Sequence, residues 1–406
     1  MTSFSEWRAG IENFEKLVAK TPEGLSIEPL YVESKATSPL SREGEGRGEG
    51  EPITALPFHE DGADAADELA LLMAQAVTRL SEKKLNLHIS VGRDTFPELC
   101  KLRAARLLFS KLGVRVHITA ICSKRTMTQR DPWVNMLRCT TQVFAAILGG
   151  ADEITPSAFD SELGNPSELA QRIARNTQLI LEQESSLGRV HDPAAGSYFL
   201  ETFTDQLARE AWKRFQAIEK AGGFAQALPE VKARIAKAWD ARLRSVSSRK
   251  LPVLGVSEFA NTTEELPRAA HSFDGPGHRD SESFEALRLR VEEKKGRVTL
   301  VTLGSFAESR ARVGFASNFF AAGGFSSSEL PLTPNLSLAG EGVACLCGTD
   351  EAYAASAESA SKQLKAAGFG TVLIAGKPSS IPGIDGYIFF GADVIDTLNV
   401  LAEGLS

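Results

Sequence analysis

Between residues 53 and 184 the chain alternates a short apolar strand with a long amphipathic helix four times, and then stops. "ITALPF" predicts a strand from Ile53, and Ala63–Leu80 a helix. Leu85–Val91 and Val114–Ala120 predict strands, followed by helices over Phe96–Leu112 and Val134–Leu148. "DEITPSA" is a short strand and Glu168–Glu184 the last helix of the run. Repeated βα units imply a parallel sheet. In the second strand Leu85, Leu87 and Ile89 alternate with Asn86, His88 and Ser90; the third places Arg115, His117 and Thr119 on one face. Polar residues on one face of several strands point to a ligand-lined barrel interior rather than a dry core. A closed (β/α)₈ barrel needs about eight such units. Four leave unpaired edges and an uncovered inner face.

The flanking sequence sets the domain plan. Phe4, Trp7, Ile11, Phe14, Leu17 and Val18 predict an amphipathic helix over residues 3–20, and "LSIEPLYV" an extended segment. These make an N-terminal piece, 1–33. Ser34–Pro52, "SKATSPLSREGEGRGEGEP", has almost nothing to bury and predicts a flexible linker. The βα run and two long helices, Thr204–Ala221 and Leu228–Ser245, form a domain over 53–250. Residues 251–296, with "GPGHRDSESF", are expected to be a linker. A second α/β domain follows over 297–406, with strands at Val298–Leu303, Gly342–Leu346, Gly370–Ile374 and Gly386–Phe390. Where its first crossover is expected the chain reads "SSSELPLTPNLSLAGEG", a patch resembling 34–52 in composition. Both patches read as insertions that replace structured sequence.

The second domain opens on a strand, a glycine turn and a helix start, an arrangement that often cradles a cofactor with free backbone N–H groups. Yet Gly304-Ser305-Phe306-Ala307-Glu308-Ser309-Arg310-Ala311 holds no G-x-G-x-x-G, no P-loop lysine, no His and no Cys. A formal net charge of −7 over 406 residues disfavours nucleic acid as a partner. The five cysteines are scattered apart from Cys345 and Cys347, so no metal site is expected and free thiols in a reducing compartment are. No apolar run reaches the length of a membrane span. The first residues lack a targeting pattern, and the expected location is the cytoplasm.

Three long stretches carry a resemblance: "RDPWVNMLRCTTQVFAAILGGADEITPSAFD" (Arg130–Asp160), "RIARNTQLILEQES" (Arg172–Ser185) and "VHDPAAGSYFLETFTDQLAREAW" (Val190–Trp212). With "LVAKTPEGLSIEPLY", "FHEDGADAADELA" through "KLRAARLLF", "LPVLGVSEFAN" and the C-terminal domain, most of the chain resembles the methylmalonyl-CoA mutase family. Members of that family isomerise acyl-CoA thioesters by a radical route. Adenosylcobalamin lies between a (β/α)₈ barrel threaded by coenzyme A and a C-terminal cobalamin-binding domain. The resemblance therefore implies an α/β chain: a partial TIM-type barrel of about four βα units, then a flavodoxin-like, cobalamin-binding-type domain. The barrel's first four strands have no counterpart between "IEPLY" and "FHEDGA".

The resemblance also implies which residues matter. The family holds cobalt through the histidine of D-x-H-x-x-G; here Phe306, Glu308 and Ala311 stand at those three positions. A carboxylate is a poor substitute for imidazole toward cobalt, so no cofactor is expected on this chain. His59 matches a histidine that hydrogen-bonds the thioester carbonyl in catalytic subunits, although two residues are missing between it and Gly62; a structural role is the simpler expectation. Asn86 stands at a substrate-contacting serine and Lys84 at an arginine, while "ICSKRT" replaces a glutamine-bearing substrate loop. His88 and His117 join His59 and Asn86 as candidate substrate contacts; packing is the plainer role. Asp131 and Pro132 are expected at the start of a helix, as N-cap and N1. Bacterial members are often heterodimers with a smaller, cobalamin-free subunit, which this chain resembles. It is expected to be a noncatalytic isomerase-family subunit of propionate metabolism that supports a catalytic, adenosylcobalamin-bearing partner. The alternatives are a self-associating half-barrel that binds acyl-CoA and a degenerate paralogue without function.

Overall fold

The computed structural model describes residues 8, 11, 14–31, 50–82, 84–272, 275–332 and 342–405. Residues 3–7, 9, 10, 12 and 13 of the helix expected over 3–20, residues 34–49 of the first linker patch and 333–341 of the second lie outside the described residues. Where that helix is described it is corrected, since Phe14–Leu17 is a single 3-10 turn and Ala19–Lys20 is a strand paired with Ser26–Ile27. The described chain divides into two units. The first comprises residues up to 127, then 135–240 and 275–279; the second comprises 128–134, 241–274 and everything from 280.

The first unit begins with a small antiparallel pair, β1 (Ala19–Lys20) and β2 (Ser26–Ile27). Its main sheet has four parallel strands in chain order: β3 (Ile53–Thr54), β4 (Lys84–Val91), β5 (Arg115–Cys122) and β6 (Glu153–Thr155). The expected strand "ITALPF" is cut short, because Leu56–Glu60 (α1) turns into a helix with Pro57 in its first turn. A proline there loses only an N–H that would have no helical partner. The crossover helices are α2 (Ala65–Ala76), α3 (Thr95–Lys111) and α4 (Val134–Leu148), with α5 (Glu168–Leu179) after β6. Asp64 caps α2, its Oδ1 accepting from Asp67 N at 2.8 Å.

Alternation along β4 decides which face is apolar. Leu85, Leu87, Ile89 and Val91 are fully buried and join the core with Leu69, Leu72 and Met73 of α2 and Leu99, Leu102 and Phe109 of α3. Two long helices follow, α6 (Tyr198–Lys220) and α7 (Phe224–Ser247). The first starts six residues before its expected boundary, where Ser197 Oγ accepts from Leu200 N. Phe203, Leu207 and Ala211 of α6 enter the same core. Arg103 is buried beside it and pairs with Asp192 Oδ2 at 2.8 Å and Glu201 Oε1 at 3.3 Å. A buried guanidinium needs such partners to offset its desolvation.

The opposite face is less open than its composition implies. Ser90 is 1%, His117 7%, Thr119 7% and Asn86 9% exposed. His88 and Glu153 are half-buried, and only Arg115 and Thr155 are exposed. The expectation of an uncovered inner face is therefore corrected for most of these residues.

In the second unit five parallel strands are ordered β8-β7-β9-β10-β11 across the sheet, where β7 is Arg297–Thr302, β8 Ser326–Pro331, β9 Val343–Cys347, β10 Thr371–Ala375 and β11 Gly386–Ile388. Numbered within the unit this is 2-1-3-4-5, a doubly wound order. Helix α8 (Glu282–Glu293) precedes the sheet; α9 (Phe306–Ala322), α10 (Asp350–Ala366) and α11 (Val394–Glu403) follow β7, β9 and β11. Val298, Leu300, Cys345 and Cys347 pack with Phe284, Phe319, Phe320 and Leu398 on one side. Val301, Leu303, Ala344 and Leu346 pack with Tyr353, Ala357 and Leu364 on the other. Cover on both faces explains the continuous apolar runs in these strands.

Three expectations change here. Ser326–Pro331 is a fully paired edge strand, although its side chains are mostly exposed; exposed serines hid it. Residues 251–296 are not a bare linker, because Val253 and Val256 are buried and α8 sends Phe284, Leu287 and Val291 into the core. Asp131 is not the N-cap of α4. It has a left-handed φ of 45° and lies three residues before Val134, whose N–H it accepts through its carbonyl. Its own N–H donates to Glu264 at 2.7 Å, and Gln129 exchanges two bonds with the His271 backbone, so tertiary fastening overrides local capping.

Candidate functional site

Ligand sites in α/β sheets gather at the carboxyl ends of the strands. In the first unit that end carries a closed polar cluster. Helix α1 sets His59 there, 1% exposed. Its Nε2 lies 2.7 Å from Ser123 Oγ, just past β5, and its Nδ1 lies 3.4 Å from Glu68 Oε2 on α2. Glu68 Oε1 accepts from Ser90 N at 2.9 Å and Ser90 Oγ at 2.6 Å. Lys101 Nζ on α3 donates to Glu68 Oε2 at 3.0 Å and pairs with Glu98 at 2.7 Å. Arg125 donates to the carbonyls of His59 at 2.7 Å and Ala63 at 3.2 Å. Gln142 Nε2 donates to Thr126 Oγ1 at 2.7 Å beneath the same turn.

Burial is the largest single influence on His59, Glu68 and Lys101. It pushes the His59 imidazole down to about 4, Arg125 adding to the shift and Glu68 opposing it, so the ring is neutral at physiological pH. Burial alone would raise Glu68, but Lys101 and the bonds from His59 and Ser90 win and hold it well below the usual carboxylate range. Burial would lower Lys101; Glu68 and Glu98 raise it instead. Glu60, outside the cluster's hydrogen bonds, is pushed by burial up to about 7 against the pull of Arg125 and Lys124.

Glu68, His59 and Ser123 have the connectivity of a carboxylate–imidazole–hydroxyl relay. A neutral ring with Nδ1–H toward Glu68 leaves Nε2 to accept the Ser123 proton. Nucleophilic chemistry would also need an accessible hydroxyl, and Ser123 is 1% exposed. The cluster instead ties α1, α2, α3, β4 and the end of β5 together.

The other sequence candidates lie on the sheet face. Register sets Asn86 opposite His117 and His88 opposite Thr119, with Thr54 on the far side of His88. Thr119 stands opposite Glu153, so Thr54, His88, Thr119 and Glu153 form one cross-strand row. His117 Nε2 lies 3.5 Å from Glu153 Oε1 and its Nδ1 4.0 Å from Asp152 Oδ2. Asn86 Nδ2 donates to Gly50 O at 3.2 Å. The structure thus groups Asn86, His88 and His117, while His59 takes its ring partners from the closed cluster. Sequence reasoning missed Glu68, Lys101, Ser90 and Ser123. Glu68 and Lys101 each sit inside an apolar helical run, the signal for a buried charge that must be paired.

In the second unit the chain order reverses between β7 and β9, and the turn after β7 lies at that point. Gly304, at φ 85°, leads into Ser305, the N-cap of α9. Ser305 Oγ accepts from Glu308 N, while Glu308 Oε2 accepts from Ser305 N at 2.8 Å and Ser305 Oγ at 2.6 Å. This is a capping box, legible in "SFAE" once α9 is known to start there. The carboxylate at the family's histidine position is already engaged by its own helix. Phe306 is 71% exposed, with Arg310 over its ring at 5.5 Å, and Ala311 is exposed without a polar atom. These residues do not fit a cobalt ligand. Among the described residues no group of three or more His, Cys, Asp or Glu is placed to hold a metal, and no helix is long and apolar enough to cross a membrane.

Comparison with known proteins agrees with the resemblance. The family model for methylmalonyl-CoA mutase matches residues 52–322. The methylmalonyl-CoA mutase small subunit of Streptomyces virginiae is 40% identical over 85% of this chain and 62% of its own length. That of Propionibacterium freudenreichii subsp. shermanii is 33% identical over 86% of this chain and 62% of its own. Methylmalonyl-CoA mutase of Escherichia coli is 33% identical over 51% of this chain and 32% of its own. The chain thus spans about three fifths of the small subunits it matches. With a family model over residues 52–322 and small-subunit relatives along most of its length, the chain belongs to the methylmalonyl-CoA mutase family.

Proposed function

We propose that this chain is a noncatalytic, small-subunit-type member of the family. It supports a catalytic partner that isomerises methylmalonyl-CoA to succinyl-CoA with adenosylcobalamin. The observation that carries this reading is Glu308: at the position of the family's cobalt-binding histidine stands a carboxylate spent on the capping box of α9. The closed His59 cluster and the small-subunit names of the similar chains support it. On this reading the four-stranded sheet is part of a (β/α)₈ barrel, and the 2-1-3-4-5 domain is a flavodoxin-like cobalamin-binding fold without its ligand residue. The site is cytoplasmic and the assembly a heterodimer.

The test is co-purification of the tagged chain from its own cells, with a mutase assay on the product. The expected result is a stable complex with a catalytic subunit, and no turnover by the chain alone with added adenosylcobalamin. Turnover by the isolated chain, or a cobalamin titration showing imidazole-type ligation, overturns the reading. The sheet edges favour a second reading: β3 and β6 offer two and three strand residues and no described outer partner. Two copies could join such edges, and a dimer in sedimentation that ignores the catalytic subunit would establish it.

A further inference from the structure

A cleft of about 610 Å³ opens in the first unit between the segment after β2 and the start of α6. Ile27, Leu30, Tyr31, Tyr198 and Phe199 line it together with Glu28. Leu30 and Tyr198 are 41% and 50% exposed, so apolar and aromatic surface is available to a ligand. Phe199 is held by Tyr31 at 5.4 Å and by Phe96, edge-on, at 6.0 Å between ring centroids. The Tyr31 hydroxyl is already used, accepting from Glu28 N at 3.0 Å and donating to Ser26 O at 3.4 Å.

Among the described residues Glu28 is the one charged group in this lining. Its Oε2 is buried and has no hydrogen-bond partner among the described residues. A carboxylate that has lost water at one oxygen, with no donor in its place, gains more than usual from a cation beside its other oxygen. Gly196 N donates to Glu201 Oε1 at 3.2 Å and Leu200 N to Ser197 Oγ at 3.5 Å, so those donors are taken. Phosphate-bearing ligands are disfavoured by an acidic group with no basic neighbour among the described lining residues. A hard divalent ion would want several oxygens. Aromatic rings with a single carboxylate suit a weakly hydrated alkylammonium head, which gains from ring faces as well as from charge.

We infer that this cleft binds a quaternary or multiply methylated ammonium group, with Tyr31, Tyr198 and Phe199 against its methyl groups and Glu28 against its charge. The head could belong to a free small molecule of the choline type or to a methylated lysine on a partner protein. The proposal is independent of the subunit role above.

The test is calorimetric titration of the full chain with choline, and with its uncharged isostere in which carbon replaces the quaternary nitrogen. Choline should bind saturably and about tenfold more tightly than the isostere. Glu28→Gln, which keeps the side-chain shape, should abolish that preference, and Tyr198→Ala should weaken both ligands, with folding followed by far-UV circular dichroism. A trimethyllysine peptide that outcompetes choline identifies a protein source; choline that outcompetes the peptide identifies a free ligand. Equal binding of choline and isostere, unchanged choline affinity in Glu28→Gln, or no saturable choline binding by the folded chain overturns the proposal.

Discussion

Lys101 Nζ lies 3.0 Å from Glu68 Oε2, and both side chains are closed to solvent. Removing one member of a buried pair strands the other charge. Lys101→Met should therefore cost about 3–5 kcal/mol in urea unfolding. Adding Glu68→Leu should restore part of that loss, because the stranded carboxylate goes with it. A double-mutant cycle reads the coupling directly; strict additivity of the two losses would show that the pair does not act as a unit.

His59 and Glu60 should pull stability in opposite directions across mildly acid pH. The folded His59 value is about 4 against an ordinary 6.5, so between these the unfolded chain binds the extra proton and stability rises with pH. Glu60 is raised to about 7 from 4.5, so between these the folded chain binds the proton and stability falls as pH rises. Each slope approaches about 1.4 kcal/mol per pH unit. Wild type minus His59→Gln should slope upward from pH 4 to 6.5, and wild type minus Glu60→Gln downward from 4.5 to 7. Unfolding midpoints measured at half-unit intervals check both signs, and differences of the same sign would refute the assignment.

Ser305→Ala removes the N-cap of α9 and should cost about 1 kcal/mol. Glu308→His should also destabilise, since it abolishes both bonds to Ser305. It should not create cobalamin binding, because Phe306 and Ala311 stay as they are. Thermal unfolding and a visible-absorbance titration on the same variant test the two halves; a histidine variant as stable as the wild type would exclude the capping box.

Gly62→Ala should cost well beyond Gly24→Ala. Both glycines have positive φ, 110° and 80°, so both substitutions strain the backbone. At Gly62 the new methyl would also meet Trp239 Cβ at 2.7 Å, whereas Gly24 has open space. Left-handed strain alone is about 1 kcal/mol, and overpacking adds about 1–3 kcal/mol. Equal losses in denaturant would mean that α7 moves aside freely.

Periodicity made most elements legible. Val134–Leu148 is predicted and found to the residue, and β4 and β5 shift by one or two residues at their ends. It failed where the signal lies in a partner instead. Ser326–Pro331 became a strand because β7 supplies its hydrogen bonds, despite side chains with no apolar pattern. Asp131 left its expected cap because Glu264, far along the chain, takes its N–H. The candidate site was legible in kind rather than in connection: His59 stood out, but nothing local tells that Ser123, sixty-four residues away, meets its ring. The polar face of β4 and β5 followed from alternation alone; its burial did not, because cover is set by tertiary neighbours.

The capping box of α9 gives position 308 a direction of change. A side chain that bears on the stability of its own helix is under selection whether or not any ligand is ever present. A mutational path from Glu308 to an imidazole passes first through a helix that keeps its Ser305 N-cap but loses the returning half of the capping box, and gains no ligand chemistry until positions 306 and 311 have also changed. The step at 308 is unfavourable by itself, whereas changes at the exposed positions 306 and 311 leave the Ser305–Glu308 bonds in place. Such a position behaves as a ratchet, and chains that share the Ser305–Glu308 pair should diverge at 306 and 311 far more freely than at 305 and 308.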